Sequence, residues 1–189
     1  RADSLIWDAH KMMRVPALCT AVLYKKYNSQ INTFQQKGSY VFHEGDVIGM
    51  DSMPFTVECT KSALGTKLYW SFALEGEKSI SVFVEKSFQQ ARNLYKYLNE
   101  HPDFYCPYVP ESNILCFQFR PDILSNKQQL ELRYKLIETG DFYITSCEVQ
   151  GKRYLRTVLM NPLSQKKEYK ALVDKIKEIA DKIIKDTQK

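Results

Sequence analysis

Ser4-Leu5-Ile6-Trp7-Asp8-Ala9-His10-Lys11-Met12-Met13 is the stretch whose reading decides the fold. Ser4 to Asp8 has the composition of a short strand. A second apolar run, Ala17-Leu18-Cys19-Thr20-Ala21-Val22-Leu23-Tyr24, follows after Val15-Pro16. Residues 1–24 therefore read as strand, tight turn, strand, with His10 and Lys11 on the turn. A turn anchored by a rigid strand is where a reactive side chain is commonly presented. On the residues alone, a His-Lys pair here reads first as a surface lysine at a strand end.

Working outward, residues 25–54 carry Gly38, Gly45, Gly49 and Pro54 and read as irregular. A helical pattern starts at Thr56 and runs through Val57, Leu64, Leu68, Phe72 and Ala73 to Leu74, where Glu75-Gly76 closes it. A second helix opens at Ser79, with Val82, Phe83, Phe88, Ala91, Leu94, Tyr95 and Leu98 as its apolar stripe. It ends before His101-Pro102. Phe104–Tyr108 and Asn113–Phe119 read as strands. Ser125 and Gln128 form a capping-box pattern opening a helix to about Glu138. Phe142–Val149 and Tyr154–Met160 read as a hairpin around Gln150-Gly151-Lys152. Ser164 is expected to cap a final helix with Tyr169, Leu172, Val173, Ile176, Ile179, Ala180 and Ile183 on one face. The fold class expected for the chain is α+β, with an antiparallel sheet covered by helices in its second part.

Composition narrows the class. The chain has 189 residues, 44% of them apolar and 26% charged, which suits a globular protein with a real core. No apolar run reaches the roughly 20 residues that span a bilayer. Asp3, Asp8, His10, Lys11 and Arg14 interrupt residues 1–24, so no signal peptide is read there. The five cysteines are odd in number and widely spaced, which suggests reduced, buried thiols in a cytoplasmic protein. No Cys-x-x-Cys or His-x-x-x-His pattern supports a metal site. The net charge of +5 gathers in the last helix, where interleaved acidic residues favour a solvated face over a nucleic-acid surface.

Five segments, in order, resemble the C-terminal half of the group II pyridoxal-phosphate (PLP) decarboxylases, which act on glutamate, aromatic amino acids and diaminobutyrate. They are Ser4–Met13 with Val15-Pro16 and Cys19-Thr20-Ala21; Ser39-Tyr40-Val41-Phe42; Glu58-Cys59-Thr60-Lys61 with Lys67-Leu68-Tyr69-Trp70; Asn113-Ile114-Leu115-Cys116-Phe117; and Tyr154-Leu155-Arg156-Thr157 with Asn161-Pro162. A lone His-Lys pair would say little; five ordered segments say much more. The resemblance implies a parent α/β fold of PLP fold type I. Residues 1–102 would be the end of the cofactor-binding large domain with linking helices, and 103–189 the small C-terminal domain. It implies a cytoplasmic homodimer acting on an L-amino acid, with neither nucleic acid nor membrane as partner.

It also implies roles. Lys11 would form the Schiff base with PLP, which needs an amine able to lose its proton and attack an aldehyde. His10 and Asp8 match positions beside the cofactor phosphate; Asp8 could instead cap the turn through backbone N–H groups. Thr60 stands where relatives place a glycine near the phosphate of the neighbouring subunit; a hydroxyl donor and a plain helix cap are both open. Arg156 matches the position facing the substrate carboxylate, which suits a guanidinium fork. The alternative is an arginine on the solvent side of an alternating strand. Relatives carry a tyrosine on a mobile loop as proton donor. The corresponding stretch, His43 to Phe55, has none, so His43 or another group would take that role. The aspartate and the ring-stacking histidine of the family lie ahead of the lysine segment, so the chain is expected to be a C-terminal portion of a longer enzyme. Two further readings stay open: a non-catalytic structural or dimerisation fragment of that fold, and another PLP reaction such as oxidative deamination.

Overall fold

A computed structural model describes residues 2–26, 28–34, 57–58 and 61–187. They fall into two compact units, Arg1–Ile80 and Ser81–Lys189. The sequence put the boundary between 102 and 103. The second unit starts earlier because Leu94 and Leu98 belong to its core.

In the first unit, β1 (Ser4–Asp8) and β2 (Thr20–Tyr24) pair antiparallel, Ser4 opposite Tyr24 and Asp8 opposite Thr20. The intervening turn is closed by Lys11 N–H to Asp8 O (3.2 Å), Arg14 N–H to Lys11 O (3.1 Å) and Val15 N–H to Ala9 O (3.3 Å). A short helix, α1 (Asn28–Phe34), stands within the stretch expected to be irregular. The next helix, α2 (Leu64–Asn99), begins eight residues later than the expected Thr56; residues 57, 58 and 61–63 are non-helical. Val57 is exposed and joins no apolar stripe that would reward helix formation there. Gly76 breaks α2 at φ 73°, ψ 159°, the division the Glu75-Gly76 pair predicts. That backbone region is open essentially to glycine alone.

In the second unit, β3 (Phe104–Tyr105), β4 (Ile114–Phe119), β5 (Thr145–Val149) and β6 (Lys152–Val158) form an antiparallel sheet in the order β3-β4-β6-β5. The strand expected over 104–108 stops at Tyr105, ahead of Pro107, whose nitrogen has no proton to give to a ladder. Gln150 and Gly151 both adopt positive φ (52° and 74°), the two-residue turn that matches strand twist. Helix α3 (Asn126–Glu138) carries the expected capping box: Ser125 Oγ accepts from Gln128 N–H, and the Gln128 side chain returns to the Ser125 N–H. Helix α4 (Lys166–Thr187) buries all seven residues of its predicted face. Its cap is Gln165 rather than Ser164: Gln165 N–H donates to the Glu168 carboxylate at 2.7 Å, while Gln165 O accepts the first helical bonds.

The stripe of α2 in this unit is more polar than expected. Val82 is exposed, whereas Ser87 and Gln90 are buried. Ser87 Oγ donates to Phe83 O, and Gln90 Nε2 donates to Asn161 O and Ser164 O at 3.0 Å each. The Ser87 hydroxyl and the Gln90 amide nitrogen are satisfied this way and cost little, while Gln90 Oε1 is buried without a hydrogen-bond partner among the described residues. The core gathers Leu94, Leu98, Leu115, Phe117, Phe119 and Leu155 with Leu132, Leu136 and the apolar face of α4. By alternation, the other face of the sheet carries Cys116, Arg156, Thr145, Tyr154 and Cys147.

Candidate active site

The turn after β1 collects three of the five predicted site residues. Asp8 ends the strand, and its carboxylate accepts from Thr20 Oγ1 directly across the hairpin (2.7 Å) and from Lys11 Nζ (2.5 Å). It ties side chains together; the alternative role, binding the turn's N–H groups, falls instead to backbone carbonyls. The hydrogen bond from Lys11 first, and that from Thr20 second, hold the Asp8 carboxyl below the usual carboxylate range. Apart from this contact the Lys11 side chain is open to solvent, 64% exposed.

His10 is half-buried. Its Nδ1 lies 2.9 Å from Cys19 O and 3.2 Å from Cys19 N. Cys19 O already accepts the His10 backbone N–H at 3.2 Å. When Nδ1 accepts from the Cys19 N–H, a neutral ring carries its proton on Nε2. Either way the ring is pinned through Nδ1, and Nε2 is left for a ligand. Cys19 is buried, and its thiol meets Leu64 O at 3.5 Å. Ala9, Val15 and Cys19 form a small core under the turn, with Met13 and Leu68 against it. A cleft of about 390 Å³ lies beside the turn, lined by Met13, Arg14 and Pro16 together with Lys67, Trp70 and Glu75; Lys11 does not border it.

Thr60 lies outside the described residues, as do Ser39–Phe42 and the stretch from His43 to Phe55. Arg156 sits in the second unit, on β6, opposite Cys116 on one side and Thr145 on the other. It is half-buried and donates to Thr145 Oγ1 at 3.4 Å. Among the described residues no carboxylate pairs with it, so its charge has no internal anion. The sequence reading missed Thr20 and Cys19 as site residues. Both reach the turn through cross-strand register, which no local pattern displays.

These residues fit a pyridoxal group: an accessible amine, an imidazole nitrogen beside it, and a turn clamped from both strands. One feature works against the free amine. Attack on a carbonyl needs the Lys11 nitrogen free, and here it is engaged by the Asp8 carboxylate. The Asp8–Lys11 pair must part for that chemistry.

The model of the pyridoxal-dependent decarboxylase conserved domain matches residues 1–120. The chain belongs to this family. Human cysteine sulfinic acid decarboxylase is 25% identical over 132 residues, covering 68% of this chain and 27% of that protein. An acidic amino acid decarboxylase of Mus musculus is 21% identical over 192 aligned positions, covering 93% and 35%. The chain thus spans about a third of the length of the curated relatives it matches. Among solved structures, Oryza sativa TDC with PLP and tryptamine superposes with a TM-score of 0.80 at 17% identity, over 97% of this chain and 40% of that one. Catharanthus roseus tryptophan decarboxylase in complex with L-tryptophan gives 0.78 at 19%, over 96% and 39%. The expected fold is therefore shared: the chain has the architecture of the corresponding part of PLP fold type I decarboxylases.

Proposed function

We propose that this chain is the C-terminal portion of a PLP-dependent L-amino-acid decarboxylase in which Lys11 holds the cofactor. The observation that carries the reading is the turn itself. It exposes one amine, between a carboxylate and a pinned imidazole, in a chain of the decarboxylase family. PLP, when bound, supplies the electron sink for the pair left behind by departing carbon dioxide. The residues of this chain bind and orient. His10 Nε2 donates to the cofactor phosphate, and Thr60 adds a hydroxyl donor. Asp8 holds the turn through Thr20 and would release Lys11 to hold the cofactor when it is bound. Arg156 takes the substrate carboxylate, an assignment supported by its lack of an internal anion. The remainder of a longer protein supplies the partner of the pyridinium nitrogen.

Two finer features belong to the same proposal. The protein acts in the cytoplasm, consistent with the free thiols of Cys19, Cys106, Cys116 and Cys147. It works as a homodimer; Tyr69, Trp70 and Leu74 are 65%, 55% and 80% exposed on α2, apolar area suited to a protein partner. One observation favours a second reading, a non-catalytic structural module: the second unit has a complete core of its own.

Borohydride reduction of the full-length protein with PLP, followed by peptide mapping, separates the two. A pyridoxyl group fixed on Lys11, with loss of both cofactor absorbance and carbon dioxide release in Lys11→Ala, is the expected result. Full turnover in Lys11→Ala, or a pyridoxyl group on another lysine, overturns the proposal.

A further inference from the structure

The sheet face that carries Arg156 also carries two thiols, and nothing in the proposed decarboxylase chemistry uses them. Cys116 Sγ and Cys147 Sγ lie 3.5 Å apart. They belong to β4 and β5, which are not neighbours: β6 runs between them, with Arg156 opposite Cys116 and Tyr154 opposite Cys147. The two side chains reach toward each other over the middle strand.

That placement discriminates among ligands. A disulfide needs Cα atoms about 4.4–6.8 Å apart and sulfurs at about 2.05 Å. Strands two positions apart in a sheet are separated by roughly 9–10 Å, so direct oxidation of this pair requires the sheet to buckle. A single bridging atom requires no such movement. Two thiolates at about 2.3 Å from a tetrahedral zinc stand about 3.8 Å apart, close to the spacing here. Zinc, however, takes four ligands in structural sites. Among the described residues no group of three or more His, Cys, Asp or Glu side chains stands ready to hold a metal. A monosubstituted trivalent arsenic needs only two sulfurs, and its pyramidal geometry holds them slightly closer than a tetrahedral ion does.

We propose that Cys116 and Cys147 form a two-thiol site that captures a monosubstituted trivalent arsenical, one arsenic atom bridging the two sulfurs across β6. Two As–S bonds form as the bonds from arsenic to its oxide oxygen break. The two thiol protons leave with that oxygen as water. Arsenic stays trivalent and sulfur is not oxidised, so the step needs no further reagent.

The surroundings support the assignment. Both cysteines are half-buried rather than sealed. Cys116 borders a cleft of roughly 640 Å³ lined by residues 107–112 and Ile114, wide enough for the organic substituent. Burial first, and the neighbouring Cys147 thiol second, push the Cys116 thiol up to about 11. Alkylating agents, which need the thiolate, are therefore disfavoured at Cys116. Condensation with an arsenical oxide disposes of the thiol proton itself. The other described cysteines lack this arrangement: Cys19 is buried against Leu64 O, and Cys106 is buried with its thiol pushed up to about 12.

The test treats the whole reduced chain with phenylarsine oxide and reads intact mass. One phenylarsenic group per chain is expected, with loss of two hydrogens. It should survive excess monothiol and be stripped by dithiothreitol. Peptide mapping should join the Cys116 and Cys147 peptides. Cys116→Ser and Cys147→Ser should each lose the adduct, and Cys106→Ser should keep it, with circular dichroism confirming the fold of each variant. No monothiol-resistant adduct, an adduct surviving in either single variant, or a map joining another cysteine pair overturns the proposal. Should a variant fail to fold, the map of the unaltered chain decides alone.

Discussion

The two units solve the problem of burying apolar surface in opposite ways. The second unit encloses Phe117, Phe119, Leu115, Leu155, Leu132, Leu136 and Ile176 at 2% exposure or less. Among its described residues the first encloses little beyond Ala9, Val15, Cys19 and Ile80 and leaves Leu5, Ile6, Leu18 and Leu23 more than half exposed. The described part of the first unit draws its order largely from hydrogen bonds across a hairpin. The second stands on its own packing. The candidate cofactor lysine lies in the first unit and the candidate carboxylate anchor in the second, so the residues proposed for one reaction rest on supports of very different strength.

The sharpest way to break this contrast is to cut each side equally. Phe117→Ala removes a ring with 0% exposure from the core of the second unit. It should cost about 3–5 kcal/mol in urea unfolding, from lost transfer energy and the cavity left behind. Leu5→Ala in the isolated chain should stay within about 0.5 kcal/mol, the usual range for an exposed position. Equal costs would mean that the two units share one cooperative core and that the distinction between them fails.

A smaller effect is expected at the break in α2. An added Cβ at Gly76 meets nothing within 4 Å, so Gly76→Ala is free of clash and tests the backbone alone. At φ 73°, ψ 159° an alanine should cost about 1–3 kcal/mol by the same unfolding measurement. No cost would mean that α2 can straighten through residue 76 and that the division between its halves is not fixed locally.

The contrast also governs what could be read from sequence. In the second unit local signals and packing agree. All seven residues predicted for the face of α4 are buried, the Ser125–Gln128 box forms, and the Gln150-Gly151 turn takes the positive φ it needs. The misreadings there have specific causes. Ser164 yielded the cap to Gln165 because Glu168, three residues on, reaches back to its N–H. Ser87 and Gln90 replaced Val82 on the buried stripe because the preceding helical turn accepts from the Ser87 hydroxyl and distant carbonyls accept from the Gln90 amide nitrogen, though Gln90 Oε1 stays unpartnered among the described residues. In the first unit the hairpin and the position of Lys11 were legible from composition and a turn. The clamp around Lys11 was not, since Thr20 and Cys19 reach it by register rather than by spacing. The apolar pattern from Val57 onward suggested a helix that starts only at Leu64, and Val57, the one stripe residue ahead of it, is exposed. Arg156 was placed correctly on an alternating strand, yet its pairing to Thr145 depends on a hairpin partner eleven residues away.

The smallest effect concerns polar support for the self-sufficient unit. Arg120, at the end of β4, donates through Nε to Asp103 at 2.7 Å and through Nη1 to Asp181 of α4 at 3.2 Å; Lys177 adds a contact to Asp103 at 3.7 Å. The Arg120 hydrogen bond is the leading reason that the Asp103 carboxyl lies below its ordinary 3.8. A carboxyl depressed in the folded state binds fewer protons there than in the unfolded chain. Its stabilisation is therefore complete above 3.8 and is lost as the pH falls below that value toward the folded pKa. Asp103→Asn should cost about 1 kcal/mol at neutral pH, the scale of a partly exposed charged hydrogen bond. The gap between the two proteins should narrow as the pH is lowered through the acid range, because only the unaltered chain has this proton to take up. Urea midpoints measured from pH 7 to pH 3 would show it. A gap that stays constant to the acid end would assign Asp103 a packing role and leave the second unit standing on its apolar core alone.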